Sequence, residues 1–173
     1  MSHREHENLA RDTPVTCAVV TVSDTRTEKT DTSGKLVLEQ IESAGHRIGA
    51  YRIVPDEAEI IRSTLVELAR EVEVVITTGG TGTSRRDTTV MVAESLITKP
   101  LPGFGELFRM LSFEEIGPAA MLSRATAGVY GGSPTLLFCC PGSTNAVRLA
   151  ADRLIIPQLQ HLVWEILRQQ PEG

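Results

Sequence analysis

Residues Glu73 to Asp87 read EVVITTGGTGTSRRD, a run of β-branched apolar residues that breaks into glycines, then into two arginines and an acid. Val74, Val75 and Ile76 in succession suit a central parallel strand covered on both faces. Gly79, Gly80 and Gly82 let the backbone turn tightly and approach a ligand closely. The stretch therefore reads as buried strand, glycine loop and helix. In an open α/β sheet, ligands bind beyond the carboxyl ends of the strands, where loop amides and the next helix N-terminus face an anion. A phosphate-bearing ligand is the first expectation.

The flanking sequence alternates in the same way. Val15 to Val22 is nearly all apolar and predicts a first strand, followed by a polar loop from Ser23 to Asp31. Thr32 or Ser33 can cap a helix over about 33–44, with Leu36, Val37, Ile41 and Ala44 as its apolar positions and Gly45 as its stop. His46 to Val54 predicts a second strand nearer an edge. Asp56 followed by Glu59 has the form of a capping box for a helix carrying Ile60, Ile61, Leu65, Leu68 and Ala69. Asp56 can also be read as a strand-end carboxylate that reaches the site. After the glycine loop a helix runs from Thr88 or Thr89 to about Ile97, ended by Pro100 and Pro102.

Gly103 to Gly117 (GFGELFRMLSFEEIG) places Phe104, Leu107, Phe108 and Leu111 at helical spacing, with Glu106, Arg109 and Ser112 elsewhere on the helix. Ser123 to Phe138 reads as two short strands around Gly131-Gly132, an antiparallel addition to the sheet. Thr135 to Cys140 then runs into Pro141-Gly142-Ser143-Thr144-Asn145 and a helix, repeating the strand, glycine turn and hydroxyl-rich helix start. Pro157 kinks the last helix or begins a new one.

Composition narrows the class. The chain of 173 residues suits one domain over 14–170, burying roughly two-thirds of its unfolded surface, behind a flexible tail over 1–13. A net charge of −5 argues against a broadly basic nucleic-acid surface but permits a small anion pocket. No apolar run approaches a membrane span, and an odd number of cysteines without CxxC spacing fits a reducing, cytoplasmic home. Cys17, Cys139 and Cys140 are read as core thiols. The only Gly-Lys, Gly34-Lys35, lacks the rest of a Walker motif, and Arg85 occupies the third glycine position of a dinucleotide fingerprint. His3, His6, His46 and His161 form no metal-ligand spacing.

TTGGTGTSRRD, VSDTRTEKTDTSG, GFGELFRMLSFEEIG, SRATAGV and PGSTNA together resemble the MoaB/Mog family of molybdenum-cofactor biosynthesis proteins, related also to the gephyrin G domain. The resemblance spans about Val15 to Ile166 and is closest to the MoaB branch. It implies a three-layer α/β/α sandwich around a mostly parallel sheet, here with an antiparallel edge hairpin, and assembly into trimers or dimers of trimers. It implies binding of molybdopterin and its adenylylation by ATP with Mg²⁺, upstream of a molybdenum-insertion protein. Carried over by position, Gly79, Gly80, Thr81 and Gly82 form the phosphate-cradling loop. Asp87 matches the essential, metal-holding aspartate, and Asp56, in VPDE, a second catalytic one. Ser23 and Asp24 lie in the first ligand loop, and Pro141, Gly142 and Ser143 in the last. Thr144 stands where many members carry proline, and the Mog-like Asp56 accompanies MoaB-like phrases.

The chemistry suits these residue types. An ionised phosphate attacking ATP needs positioning and charge neutralisation more than a strong base. Asp87 could hold Mg²⁺ and loop amides could donate to phosphate oxygens. Arg85, Arg86, Arg109 and Arg124 either add positive charge or are solvated surface side chains. The alternative is a molybdopterin-binding or carrier protein without nucleotide chemistry. The phenylalanine-rich helix and the apolar last helix offer more hydrophobic surface than one small domain covers, which independently predicts an oligomer.

Overall fold

A computed structural model of the chain describes residues 13–81 and 88–168. The expected tail, Thr13 apart, and Gly82, Arg85, Arg86 and Asp87 lie outside the described residues. The first half alternates regularly: β1 (Thr16–Val22), α1 (Thr32–Ser43), β2 (Arg47–Val54), α2 (Ala58–Leu68) and β3 (Val74–Thr78). Then come α3 (Thr89–Leu96), β4 (Ile97–Pro100), α4 (Pro102–Ile116) and a 3-10 turn, Gly117–Leu122. β5 (Thr126–Tyr130) and β6 (Leu136–Cys140) lead into α5 (Thr144–Ala150), a π-helical turn and α6 (Ile156–Val163).

The strands form one sheet in the order β2-β1-β3-β6-β5-β4. β1 pairs in parallel with β2 and β3, and β3 with β6, while β5 is antiparallel to both its neighbours. Because successive side chains point to opposite faces, each central strand feeds two cores. Cys17 and Val19 of β1, with Ile76 and Phe138, meet α1, α4, α5 and α6 on one face. Ala18, Val20 and Val22 meet α2 and α3 on the other, through Ile61, Leu65, Leu68 and Val92. The result is the expected three-layer arrangement. Phe138 also receives the edge of Phe104, with ring centroids 5.2 Å apart, so α4 is fixed against β6.

The chain leaves β1 toward β2 on one side and returns to β3 on the other, so the sheet's switch point lies between β1 and β3. Such a point commonly marks a ligand crevice, but the cleft in this structure opens on the other side of β3, toward β6.

Several local expectations are corrected. α1 is capped by Asp31, whose carboxylate accepts from the Gly34 amide, rather than by Thr32 or Ser33. Gly45, with φ +83°, does end that helix. Asp56 does not cap α2: Glu57 holds that position without a side-chain bond. Leu107 is 47% exposed, whereas Ser112, expected on the helix surface, is buried. Residues Ile97–Pro100, expected to finish a helix and its stop, instead form the edge strand β4. Pro157 stands in the first turn of α6, and the wide π turn before it accommodates the missing amide.

At the amino end of the sheet, Glu73 accepts from the Thr16 amide (3.0 Å) and from Arg168 Nε (2.6 Å), while Arg168 also donates to the Pro14 carbonyl (3.2 Å). Both ends of the described chain are thus held on the side away from the strand carboxyl ends.

Candidate functional site

The three central strands end together, and the loops they release meet at Gly79. Its φ is +92° and that of Gly80 is +64°, a region glycine enters without strain. A Cβ on Gly79 would collide with the Val22 carbonyl oxygen at the end of β1, and one on Gly142 would lie 3.1 Å from the Gly79 Cα. The Gly79 amide donates to the Cys140 carbonyl at 3.0 Å. Backbone is therefore packed on backbone at this point, which only these glycines allow.

On the β6 side of Gly79 opens a cleft of about 440 Å³. One wall is the two glycine loops, Gly79 to Thr81 and Pro141 to Ser143; the other is apolar, with Phe108, Ile116, Ala120 and Leu122 from α4 and the 3-10 turn. A neighbouring hollow of about 310 Å³ shares Ser112, Ile116, Ser143 and Ala146 and continues past Thr144 to Leu149. The space is elongated, with amides and hydroxyls on one side and hydrocarbon on the other. It suits a flat ring system attached to an anionic group.

On the β1 side stand the carboxylates. Asp24 Oδ1 accepts from the Asp56 amide at 3.0 Å, and Asp56 Oδ1 accepts from the Thr88 amide (3.3 Å) and hydroxyl (2.7 Å). Asp56, which the sequence offered as a helix cap or as a strand-end carboxylate reaching the site, thus bonds Thr88 beyond its own helix and does not cap that helix. Ser23 Oγ accepts from the Thr25 and Arg26 amides, and Ser143 Oγ from the Ala146 amide. Each serine shapes its own loop, and Ser23 Oγ also lies 3.5 Å from Thr25 Oγ1. Gly79, Gly80, Thr81, Pro141, Gly142 and Ser143 are thus brought together, with Ser23, Asp24 and Asp56 across the Gly79 contact. Gly82 and Asp87 lie outside the described residues. Arg109 donates to the Ser123 carbonyl at 3.4 Å and, with Arg124, lines a separate hollow beside β5.

A buried polar network behind the loops was not singled out from the sequence. Asp31 is fully buried, and its Oδ2 accepts from Thr21 Oγ1 (2.5 Å) and the Tyr51 hydroxyl (2.6 Å). Burial, then the hydrogen bond and charge of Asp31, push the Tyr51 phenol well above its ordinary range. The signal available in the sequence was the Asp31-to-Gly34 spacing of an N-cap acceptor and its amide donor.

The fold and cleft define an α/β protein with a loop-lined cleft at the carboxyl ends of β3 and β6. A family profile described as "Probable molybdopterin binding domain" matches residues 18–161. The "Molybdenum cofactor biosynthesis protein B" of Bacillus subtilis (strain 168) is 49% identical over 173 residues, 98% of this chain and 100% of the relative. A crystal structure of a molybdenum cofactor biosynthesis protein B superposes with a TM-score of 0.86 at 47% identity, covering 91% of this chain and 98% of that one. The tungsten cofactor synthesizing protein MoaB from Pyrococcus furiosus gives 0.80 at 37% identity, covering 88% and 97%. The chain belongs to the MoaB/Mog family of molybdenum-cofactor biosynthesis proteins.

Proposed function

We propose that the protein binds molybdopterin in the strand-end cleft and transfers an adenylyl group to it from MgATP. The observation that carries this reading is the meeting of three loops at Gly79, which sets an amide-lined, apolar-backed cleft beside a pair of linked aspartates. In the step, an oxygen of the terminal phosphate of molybdopterin attacks the α-phosphorus of ATP. The bond from that phosphorus to the bridging oxygen of the β-phosphate breaks, and pyrophosphate leaves with the electron pair. The Gly79 amide is occupied by Cys140, so donors to phosphate oxygens would come from Gly80 and Thr81.

Among the described residues no three His, Cys, Asp or Glu side chains stand close enough to form a metal cage. That fits Mg²⁺, which is commonly held by one or two carboxylates together with substrate phosphates and water. Asp56 and Asp87 would hold it, and it would supply charge neutralisation between the two anionic substrates. Asp24 would fix Asp56 through the backbone amide. The adenylylated product would pass to a molybdenum-insertion protein, and the use of ATP suits a cytoplasmic protein.

The test compares wild type with Asp87→Asn and Asp56→Asn by molybdopterin affinity, thermal midpoint and ATP-dependent formation of adenylyl-molybdopterin. Asparagine keeps the volume and one acceptor but removes the anionic ligand, so folding and pterin binding should persist while turnover falls at least roughly a hundredfold. Unchanged turnover in both variants would remove the catalytic role. A wild type that binds molybdopterin yet turns over no ATP would make it a binding or carrier protein.

A further inference from the structure

The first turn of α1, Asp31-Thr32-Ser33-Gly34, is bonded directly or through one hydroxyl to all four parallel strands or the loops that follow them. Asp31 Oδ2 takes the hydroxyls of Thr21 on β1 and Tyr51 on β2. Thr21 Oγ1 in turn accepts from Thr78 Oγ1 at 3.3 Å, one residue before Gly79 at the end of β3. Ser33 Oγ donates to the Gly142 carbonyl at 2.9 Å in the loop after β6. Thr144 Oγ1 lies 3.0 Å from Thr32 Oγ1 and 3.2 Å from Ser33 Oγ. Arg26, in the loop after β1, reaches Asp31 Oδ1 at 3.8 Å. Gly34 is needed for the closeness of these groups: a Cβ there would stand 2.7 Å from Thr21 Oγ1 and strike the Asp31 carboxylate.

We propose that this turn is the positioning element of the site: it sets where the Gly79 and Gly142 loops stand relative to one another, and so the shape of the cleft wall that they form together. The inference rests on the reading of the cleft as the molybdopterin site. No side chain of the turn need touch the ligand. The Thr144 hydroxyl is part of the device, since a proline at that position could offer neither bond to α1. The design is sharp at Asp31. An asparagine cannot satisfy both ends at once: turning its oxygen to the two hydroxyls sets its amino group against the Gly34 N–H, and turning its amino group to the hydroxyls removes their acceptor.

The experiment uses the full chain without ligand and reads amide hydrogen exchange in wild type, Asp31→Asn and Ser33→Ala. Four amides with defined partners serve as probes. Near the site these are Ser23 to Val54 and Gly79 to Cys140; at the far end of the sheet they are Glu73 to Thr16 and Leu136 to Glu73. Each variant should lose at least about tenfold protection at Gly79 relative to Leu136, and Asp31→Asn also at Ser23. An equal loss at all four amides, or none, would overturn the proposal, since general destabilisation acts across the sheet. Should Asp31→Asn fail to fold, Tyr51→Phe and Ser33→Ala decide by the same ratio. In a parallel assay KM for molybdopterin should rise about tenfold in Ser33→Ala with kcat nearly kept; an unchanged KM would overturn the effect on the cleft. A wild type without turnover would defeat the proposed reaction alone, and molybdopterin affinity would then replace KM.

Discussion

Gly79 shows how much of the site depends on one missing methyl group. Its φ of +92° would strain any other residue, and its neighbour across the contact is the fixed carbonyl of Val22 rather than a flexible side chain. Gly79→Ala should therefore cost about 3 kcal/mol, combining left-handed strain with overpacking. Gly103, in the first turn of α4, is exposed, and a Cβ there would meet nothing within 4 Å. Gly103→Ala should be neutral or stabilise by up to about 1 kcal/mol, because alanine suits a helix better and restricts the unfolded chain. Urea denaturation of the two variants checks the contrast; equal losses would mean that the Gly79 contact is not tight. The two glycines look alike as letters in a sequence. Their neighbours separate them, and those neighbours come from β1 and β6, tens of residues away in the chain.

Helix α4 carries two apolar faces. Phe104, Phe108 and Leu111 are buried against the sheet, whereas Leu107, Met110, Phe113 and Ile116 are exposed, the last two by 58% and 60%. Met121 and Leu122 of the 3-10 turn are exposed beside them. A second copy of the chain is the expected cover for this stripe, as in the trimers that the family resemblance implies. Light scattering should report a trimer or a dimer of trimers at micromolar concentration, and Phe113→Asp should shift it toward monomer with the far-ultraviolet dichroism kept. A monomeric wild type would defeat the expectation. The same helix explains the limits of reading the sequence. β1 and β3 announced themselves as unbroken apolar runs because both of their faces are buried, and α1 because its single buried face imposes a helical period. On α4, apolar residues surround much of the helix, so spacing could not tell the face that meets the sheet from the one that does not, and Leu107 was assigned to the wrong one. β4 was missed because Ile97-Thr98-Lys99-Pro100 is short, three-quarters exposed by residue and paired on one side only. The glycine loops could be placed from strand-end logic. Asp31 could not, since an acid within a polar loop reads as solvated until side chains of β1 and β2 are seen to close over it.

Across the whole molecule, the two cores hold three thiols in places where a charge is strongly disfavoured. Burial pushes Cys17 up to about 12 and Cys139 up to about 11, and raises Cys140 as well. An acid whose folded pKa exceeds its unfolded value keeps its proton in the native state while the unfolded chain loses it. Stability is therefore unaffected by these groups below about pH 9 and falls above it, by about 1.4 kcal/mol per pH unit for each thiol until its folded pKa is reached. Denaturation midpoints should decline from pH 9 to 10, and decline less in Cys139→Ala than in wild type once each is referred to its own pH 8 value; parallel curves would show that the thiol does not contribute. The clasp of Arg168 on Glu73 and the Pro14 carbonyl has a different consequence for how the protein can be handled. It gathers Pro14 and Arg168, close to the two outer limits of the described residues, at one pole, roughly 20 Å of strand from the mouth of the cleft. A bead, a dye or a second enzyme fixed at that pole would point away from that mouth, so arrays of the protein on a surface would present their clefts outward and unobstructed.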